Sequence, residues 1–264
     1  MVNADVDLDV VSAEVVDPDV VNAEVVGSRE PDADPARHRQ LARNLQALED
    51  RVAAACRAAG RARRDVHLIA ITKTWPAQDL RRLAGLGVRE VGENRDHEAG
   101  AKARACADLD LVWHFVGQLQ TNKARSVAGY AHVVHTIDRP RIVSALSRAV
   151  AEHGRSVQAL VQVRLDDDPH RGGVDPVELA ALADLVERSE GLELAGLMAI
   201  APLGADTERA FARLAGLALD LRREHPRAGW LSAGMSGDLE AAINHGATHL
   251  RVGTALLGSR PPLG

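Results

Sequence analysis

The feature that most constrains this chain is an alternation of short β-rich runs with helical stretches, repeated eight times. The β-rich runs are residues 66–72, 89–92, 111–117, 131–136, 157–165, 192–200, 229–232 and 248–252. Between them the apolar period changes from two to between three and four. Phe211, Leu214, Ala218 and Leu221 are one such helical set. Asp138 ahead of Pro140 reads as a helix start, Asp175-Pro176-Val177-Glu178 reads as a capping box with proline at N1, and Gly246 reads as the C′ glycine that ends a helix. Strand-helix alternation of this kind makes a parallel sheet, and eight units favour closure into a single (β/α)8 TIM barrel over an open sheet. The chain of 264 residues suits one such α/β domain.

An additional helix precedes the first strand. Asp34-Pro35 is an N-cap followed by proline, and Leu41, Leu45, Leu48, Val52 and Cys56 then share one face up to Gly60. The expected organisation is therefore a barrel domain over residues 35–264 and a separate segment over residues 1–34. That segment holds ten acids against one base, and the run from Asp9 to Val16 recurs in near-identical form from Asp19 to Val26. Two copies make no solenoid. A disordered acidic extension is the first expectation, with a valine-rich interaction strand as the alternative.

Composition removes several classes. The chain has a net charge of −5, so once the acidic segment is set aside the remainder is only slightly basic. With aromatics at 2% there is neither a basic stripe nor a stacking platform for nucleic acid. No apolar run is long enough to span a bilayer, and the first residues lack the cationic start and apolar stretch of a secretory signal. The two cysteines, Cys56 and Cys106, make no disulfide framework or metal spacing. A cytoplasmic protein is the resulting expectation.

Lysine is the informative residue type. Of 32 cationic side chains only Lys73, Lys102 and Lys123 are lysines. Lys73 ends the most apolar strand, and arginine cannot replace it where an amine must deprotonate and attack a carbonyl. A strand-end lysine that snorkels to solvent explains the position equally well. In barrels the active site lies at the C-terminal ends of the strands, with phosphate bound after strands seven and eight. Here Ser232-Ala233-Gly234-Met235-Ser236-Gly237-Asp238 leaves strand seven and Arg251-Val252-Gly253-Thr254-Ala255 leaves strand eight. Their small residues, hydroxyls and backbone N–H groups suit an anion, although turn chemistry alone also selects glycine and serine.

Several motifs occur in order: Thr72-Lys73-Thr74, Gly92-Glu93-Asn94, the run Trp113 to Lys123 (WHFVGQLQTNK), Val134 to Asp138 (VHTID), Gly196-Leu197-Met198, Gly234 to Asp238 (GMSGD) and Arg251 to Thr254 (RVGT). Together they resemble the pyridoxal phosphate homeostasis family, whose members are similar to the N-terminal barrel of alanine racemase. The resemblance covers residues 36–260. It implies that Lys73 holds pyridoxal 5′-phosphate (PLP) as a Schiff base, and that Ser236, Gly253 and Thr254, helped by the backbone at Met235, bind the phosphate. Asn94 then lies beside the ring, and Arg251 approaches the pyridine nitrogen or the phosphate region. A guanidinium at that nitrogen disfavours its protonation and weakens the ring as an electron sink.

The chain departs from the family pattern at Arg171-Gly172-Gly173, where Lys-x-Gly is usual, at Ala233 and at Leu257. A guanidinium at position 171 cannot form an imine, which leaves open a secondary basic site there. His114 and His135 are expected to be structural histidines in the interior, Lys123 a solvated lysine, and Met198 a core residue or part of the ring pocket. A racemase needs a second base, a tyrosine brought with an additional C-terminal domain in alanine racemase. The single tyrosine here, Tyr130, falls at the start of strand four, the wrong end of a barrel for catalysis. The preferred function is a monomeric, non-catalytic PLP carrier that buffers the cofactor and delivers it to apo enzymes. A PLP-dependent racemase or lyase is the rival, and a barrel enzyme forming a substrate Schiff base at Lys73 a weaker third.

Overall fold

The computed structural model describes residues 34–166, 168, 171–202, 204 and 206–259. The acidic repeat before Asp34 lies outside them. The described residues from Ala36 onward make up one compact unit. Its order is α1 (Pro35–Ala58), β1 (His67–Ile71), α2 (Ala77–Gly85), β2 (Glu90–Glu93), α3 (Asp96–Ala105), β3 (Val112–Phe115), α4 (Ala124–Ala128), β4 (Val133–Ile137), α5 (Pro140–Glu152), β5 (Val157–Gln162), α6 (Leu179–Glu187), β6 (Leu192–Met198), α7 (Thr207–Glu224), β7 (Trp230–Ser232), α8 (Leu239–Asn244), β8 (His249–Val252) and α9 (Thr254–Leu257). All eight strands expected from the sequence are present, and they close in sequence order into a parallel barrel. The seam is the β1–β8 pairing, which sets His67 beside His249 and Ala70 beside Val252.

Strand faces follow from the period of two. Most of the apolar core lies between the strands and the surrounding helices. The barrel interior is divided. Val133, Leu160, Ala195 and Met198, with Trp230 against them, form an apolar patch on the β4–β7 side. Ile69 and Ile71 of β1 pack over Gly92, and a polar line crosses between: His135 Nδ1 lies 2.9 Å from Ser232 Oγ, joining β4 to β7 across the barrel, which only inward-facing side chains can do. Barrel interiors are ordinarily packed with branched aliphatic side chains, so this polar axis needs its own account. Gly196 shows how tightly β6 and β7 approach. At φ +151° a Cβ there would stand 1.9 Å from the Trp230 carbonyl oxygen.

Helix α1 buries Leu41, Leu48, Val52 and Cys56 on its inner face, each worth about 1.5–3 kcal/mol of hydrophobic stabilisation. Its arginines tie it to the end of the chain. Arg37 donates to Asp79 Oδ2 and to the Leu257 carbonyl, Asn44 donates to the Leu256 carbonyl, and Arg51 Nη1 donates to the Ser236 carbonyl at 2.7 Å. Two capping expectations are corrected. Helix α5 has Arg139 as its N-cap without a side-chain cap, and Asp138 pairs with Arg139 instead. Asp175 does cap, accepting from the Val177 N–H, but what it caps is a 3-10 turn over Pro176–Glu178 that precedes α6. Gly246 follows the His245 C-cap of α8 at φ +90°, as expected.

Candidate functional site

Lys73 sits two residues beyond β1 in a tight turn, where the Trp75 N–H donates to the Thr72 carbonyl. Thr74 has φ +71°, a costly conformation for a β-branched residue, and its N–H donates to Glu98 Oε2. The turn is held from beneath by a buried cluster. Thr72 Oγ1 donates to Glu93 Oε1 at 2.7 Å, while Lys102 Nζ donates to the same oxygen at 2.6 Å and to the Thr72 carbonyl at 2.8 Å. Glu93 is fully buried, and burial raises its carboxyl above the usual carboxylate range despite the lysine. Lys102 is thereby a structural cation. Lys123 is exposed, 3.9 Å from Asp96.

A cleft of about 470 Å³ opens at this end of the barrel. Lys73, Asn94, Met235, Ser236, Arg251, Gly253 and Thr254, the seven residues singled out in the sequence, all line it. Met198 lines it too while remaining buried, so its two expected roles coincide. The sequence reading missed Trp75, Gln118 and Ile200, which complete the wall. Trp75 lacked any motif, and its place is set by Arg37 of α1, whose guanidinium carbon stacks 4.4 Å from the ring centre. Asn94 follows β2, and its side-chain Oδ1 is buried without a hydrogen-bond partner. Gly117 permits that position, since a Cβ there would lie 2.0 Å from the Asn94 carbonyl oxygen. Ser236 Oγ accepts from the Ala255 N–H at 3.2 Å, which leaves the hydroxyl hydrogen for another acceptor. The Met235 N–H is spent on Asp238 Oδ1 at 2.6 Å, so this donor of the expected phosphate set is committed elsewhere. Arg171 does not line the cleft and pairs with Asp166 at 3.0 Å.

Arg251 decides the electrostatics. It is buried, donating to Ser232 Oγ at 2.7 Å and to the Ala199 carbonyl at 2.9 Å, and burial pushes its guanidinium down to about 10. The cleft lining contains Lys73 and Arg251 and no carboxylate. The direction of the hydrogen bonds behind Arg251 is set at their far end, because a carboxylate only accepts and Glu90 Oε2 faces His114 Nε2. Ser232 therefore gives its hydrogen to His135 Nδ1, His135 Nε2–H donates to His114 Nδ1 at 2.9 Å, and His114 Nε2–H points at Glu90 Oε2, 3.4 Å away. Burial holds His135 well below the usual imidazole range, keeping it neutral as this chain requires. His114 and His135 are thus interior structural histidines, as the sequence suggested. Tyr130 lies before β4, edge-on to Trp113, and does not line the cleft.

The alanine racemase N-terminal domain family matches residues 43–261. A pyridoxal phosphate homeostasis protein of Mycobacterium tuberculosis is 47% identical over 245 residues, covering 86% of this chain and 95% of the relative. That of Escherichia coli is 37% identical over 226 residues, covering 83% of this chain and 97% of the relative. The chain belongs to the pyridoxal phosphate homeostasis family. A member of known structure, PipY of Synechococcus elongatus with PLP bound, superposes with a TM-score of 0.74 at 36% identity, covering 83% of this chain and all of that one. An alanine racemase of Corynebacterium glutamicum shares the fold alone, at 17% identity and a TM-score of 0.63. This family member spans 62% of that racemase's length.

The buried Glu93–Lys102 pair supplies a stability prediction. Lys102→Met leaves a fully buried carboxylate without its cation and costs about 3–5 kcal/mol in urea denaturation. Glu93→Gln added to Lys102→Met recovers part of the loss. A cost below about 1 kcal/mol would mean that the pair behaves as a surface ion pair.

Proposed function

We propose that this protein is a PLP carrier, binding the cofactor in the 470 Å³ cleft and releasing it to apo enzymes without strong catalysis of its own. The observation that carries this reading is the buried Arg251 in a cleft lined by a second cation and no carboxylate. Asp238 acts on Arg251 through space without bonding it, and a buried cation without a direct ion pair is costly, so such a cleft favours an anionic ligand, and a phosphorylated one in particular. The residues fit PLP. The volume is that of a small-molecule site, Asn94 Oδ1 waits for a donor, and the Ser236 hydroxyl has a hydrogen to give.

Bound PLP supplies an aldehyde that condenses with a primary amine. In this reading Lys73 provides that amine, and the strained turn beneath it fixes where the amine stands. Ser236, Gly253 and Thr254 hold the phosphate, with the backbone at Met235 joining only if it exchanges its bond to Asp238. Asn94 orients the ring, and Arg251, pinned from behind by Ser232, keeps a positive charge where a pyridinium proton is disfavoured. The cleft lining contains no tyrosine to serve as a second base, which favours the carrier over a racemase. Two buried free thiols, Cys56 and Cys106, support a reducing, cytoplasmic setting for a protein acting as a monomer.

The purified protein should absorb visible light as a PLP adduct and turn over no amino acid. Racemisation or cleavage of an amino acid at rates typical of PLP enzymes would favour the rival reading. Ser236→Ala combined with Thr254→Val should weaken PLP by about two or more orders of magnitude, at about 1.5–3 kcal/mol per charge-assisted hydrogen bond, and leave pyridoxal nearly unaffected. Equal weakening of both in a titration would place the phosphate elsewhere.

A further inference from the structure

The opposite end of the barrel carries a second constellation. His67 and His249 open β1 and β8 and are direct partners in the closing seam, while Glu90 opens the neighbouring β2. One ligand atom from each of the three lies within 4.8 Å of the others. These residues lie outside the PLP cleft, and none belongs to the motifs read from the sequence. We propose that His67, Glu90 and His249 form a binding site for a divalent transition-metal ion of the zinc class.

The donor set is two imidazoles and a carboxylate, which suits zinc and its first-row neighbours, whereas magnesium and calcium call for mostly oxygen ligands. His249 is already oriented for the task. Its Nδ1 lies 2.8 Å from Thr248 Oγ1, an oxygen that also accepts from the Leu231 N–H at 2.8 Å. With Nδ1–H donated there, Nε2 carries the lone pair a metal needs, an outer-shell arrangement typical of ligating histidines. Trp230 packs on the same ring at 4.2 Å between centres and restrains it. Glu90 bonds His67 Nδ1 through Oε1 at 2.8 Å, while its buried Oε2 makes no close hydrogen bond and has His114 Nε2 3.4 Å away.

A tetrahedral zinc site separates its ligand atoms by about 3.4 Å, so the cluster must tighten. His67 can supply that movement, since half of its side chain is exposed and it stacks loosely on His249 at 4.7 Å. His67 and Glu90 also line a cleft of about 560 Å³, which gives an ion its approach. Two arginines share that cleft: Arg63 is held by two hydrogen bonds of 2.9 Å to Glu49, and Arg89 donates to the Ala84 carbonyl at 2.7 Å. Three protein ligands leave one position for water.

Titration of the full-length protein with zinc chloride, followed by calorimetry and by melting temperature, tests the site. The expected result is one zinc ion per chain and a rise in melting temperature that magnesium chloride does not reproduce. His67→Gln and Glu90→Gln should each weaken zinc binding at least about tenfold, and His97→Gln, on the exposed face of α3, should leave it unchanged. His67 is half exposed, so its substitution keeps the barrel folded, as circular dichroism will show. The proposal is overturned if no saturable one-to-one binding occurs, if magnesium gives the same stabilisation, or if both variants bind zinc as tightly as the parent.

Discussion

A buried guanidinium hydrogen-bonded to uncharged groups is the constraint around which this molecule is arranged. Arg251 spends its hydrogen bonds on a serine hydroxyl and a backbone carbonyl, neither of which carries charge. Desolvating a cation in this way is expensive, and hydrogen bonding alone offsets only part of the cost. Two features of the barrel make sense on that basis. Its interior is polar along the line from Arg251 through Ser232, His135 and His114, whose Nε2 faces the Glu90 carboxylate 3.4 Å away. Its mouth is lined by Lys73 and Arg251, a setting that suits an anionic ligand.

The three lysines divide the work. Lys102 is consumed in holding Glu93 and the Thr72 carbonyl, Lys123 is spent on the surface, and Lys73 is carried into the cleft on a strained turn. The cluster beneath Lys73 and the helix behind the loops that follow β7 and β8 serve the same end, which is to fix the cleft walls before a ligand arrives. Helix α1 does so through Arg51 on the Ser236 carbonyl and Arg37 on the Leu257 carbonyl and the Trp75 ring. Prepaying that order strengthens binding, because less freedom remains to be lost on association.

Much of this was legible in the sequence, for physical reasons. Period-two runs separated by capped helices dictate the barrel, and the scarcity of lysine in an arginine-rich chain draws attention to Lys73. Loops after strands seven and eight, with small residues and hydroxyls, suggest an anion site, and in the structure they line the same cleft as Lys73. What escaped were contacts between residues distant in the chain. Glu93 with Lys102, Arg37 with Trp75, and the His67–Glu90–His249 group each depend on barrel closure, which no local pattern encodes. The engagement of the Met235 N–H by Asp238 escaped for a related reason, since it is a turn detail that the residue types alone leave undetermined. Asp138 likewise has the chemistry of a cap, but Arg139 beside it takes its carboxylate.

The central claim is that Lys73, and neither of the other lysines, is the amine that holds the cofactor. Borohydride reduction of the PLP-loaded protein, followed by proteolysis and mass spectrometry, tests it most directly by converting the linkage into a stable pyridoxyl group on whichever lysine carries it. The account predicts a single modified peptide containing Lys73. A pyridoxyl group on Lys102 or Lys123, with Lys73 unmodified, would contradict it.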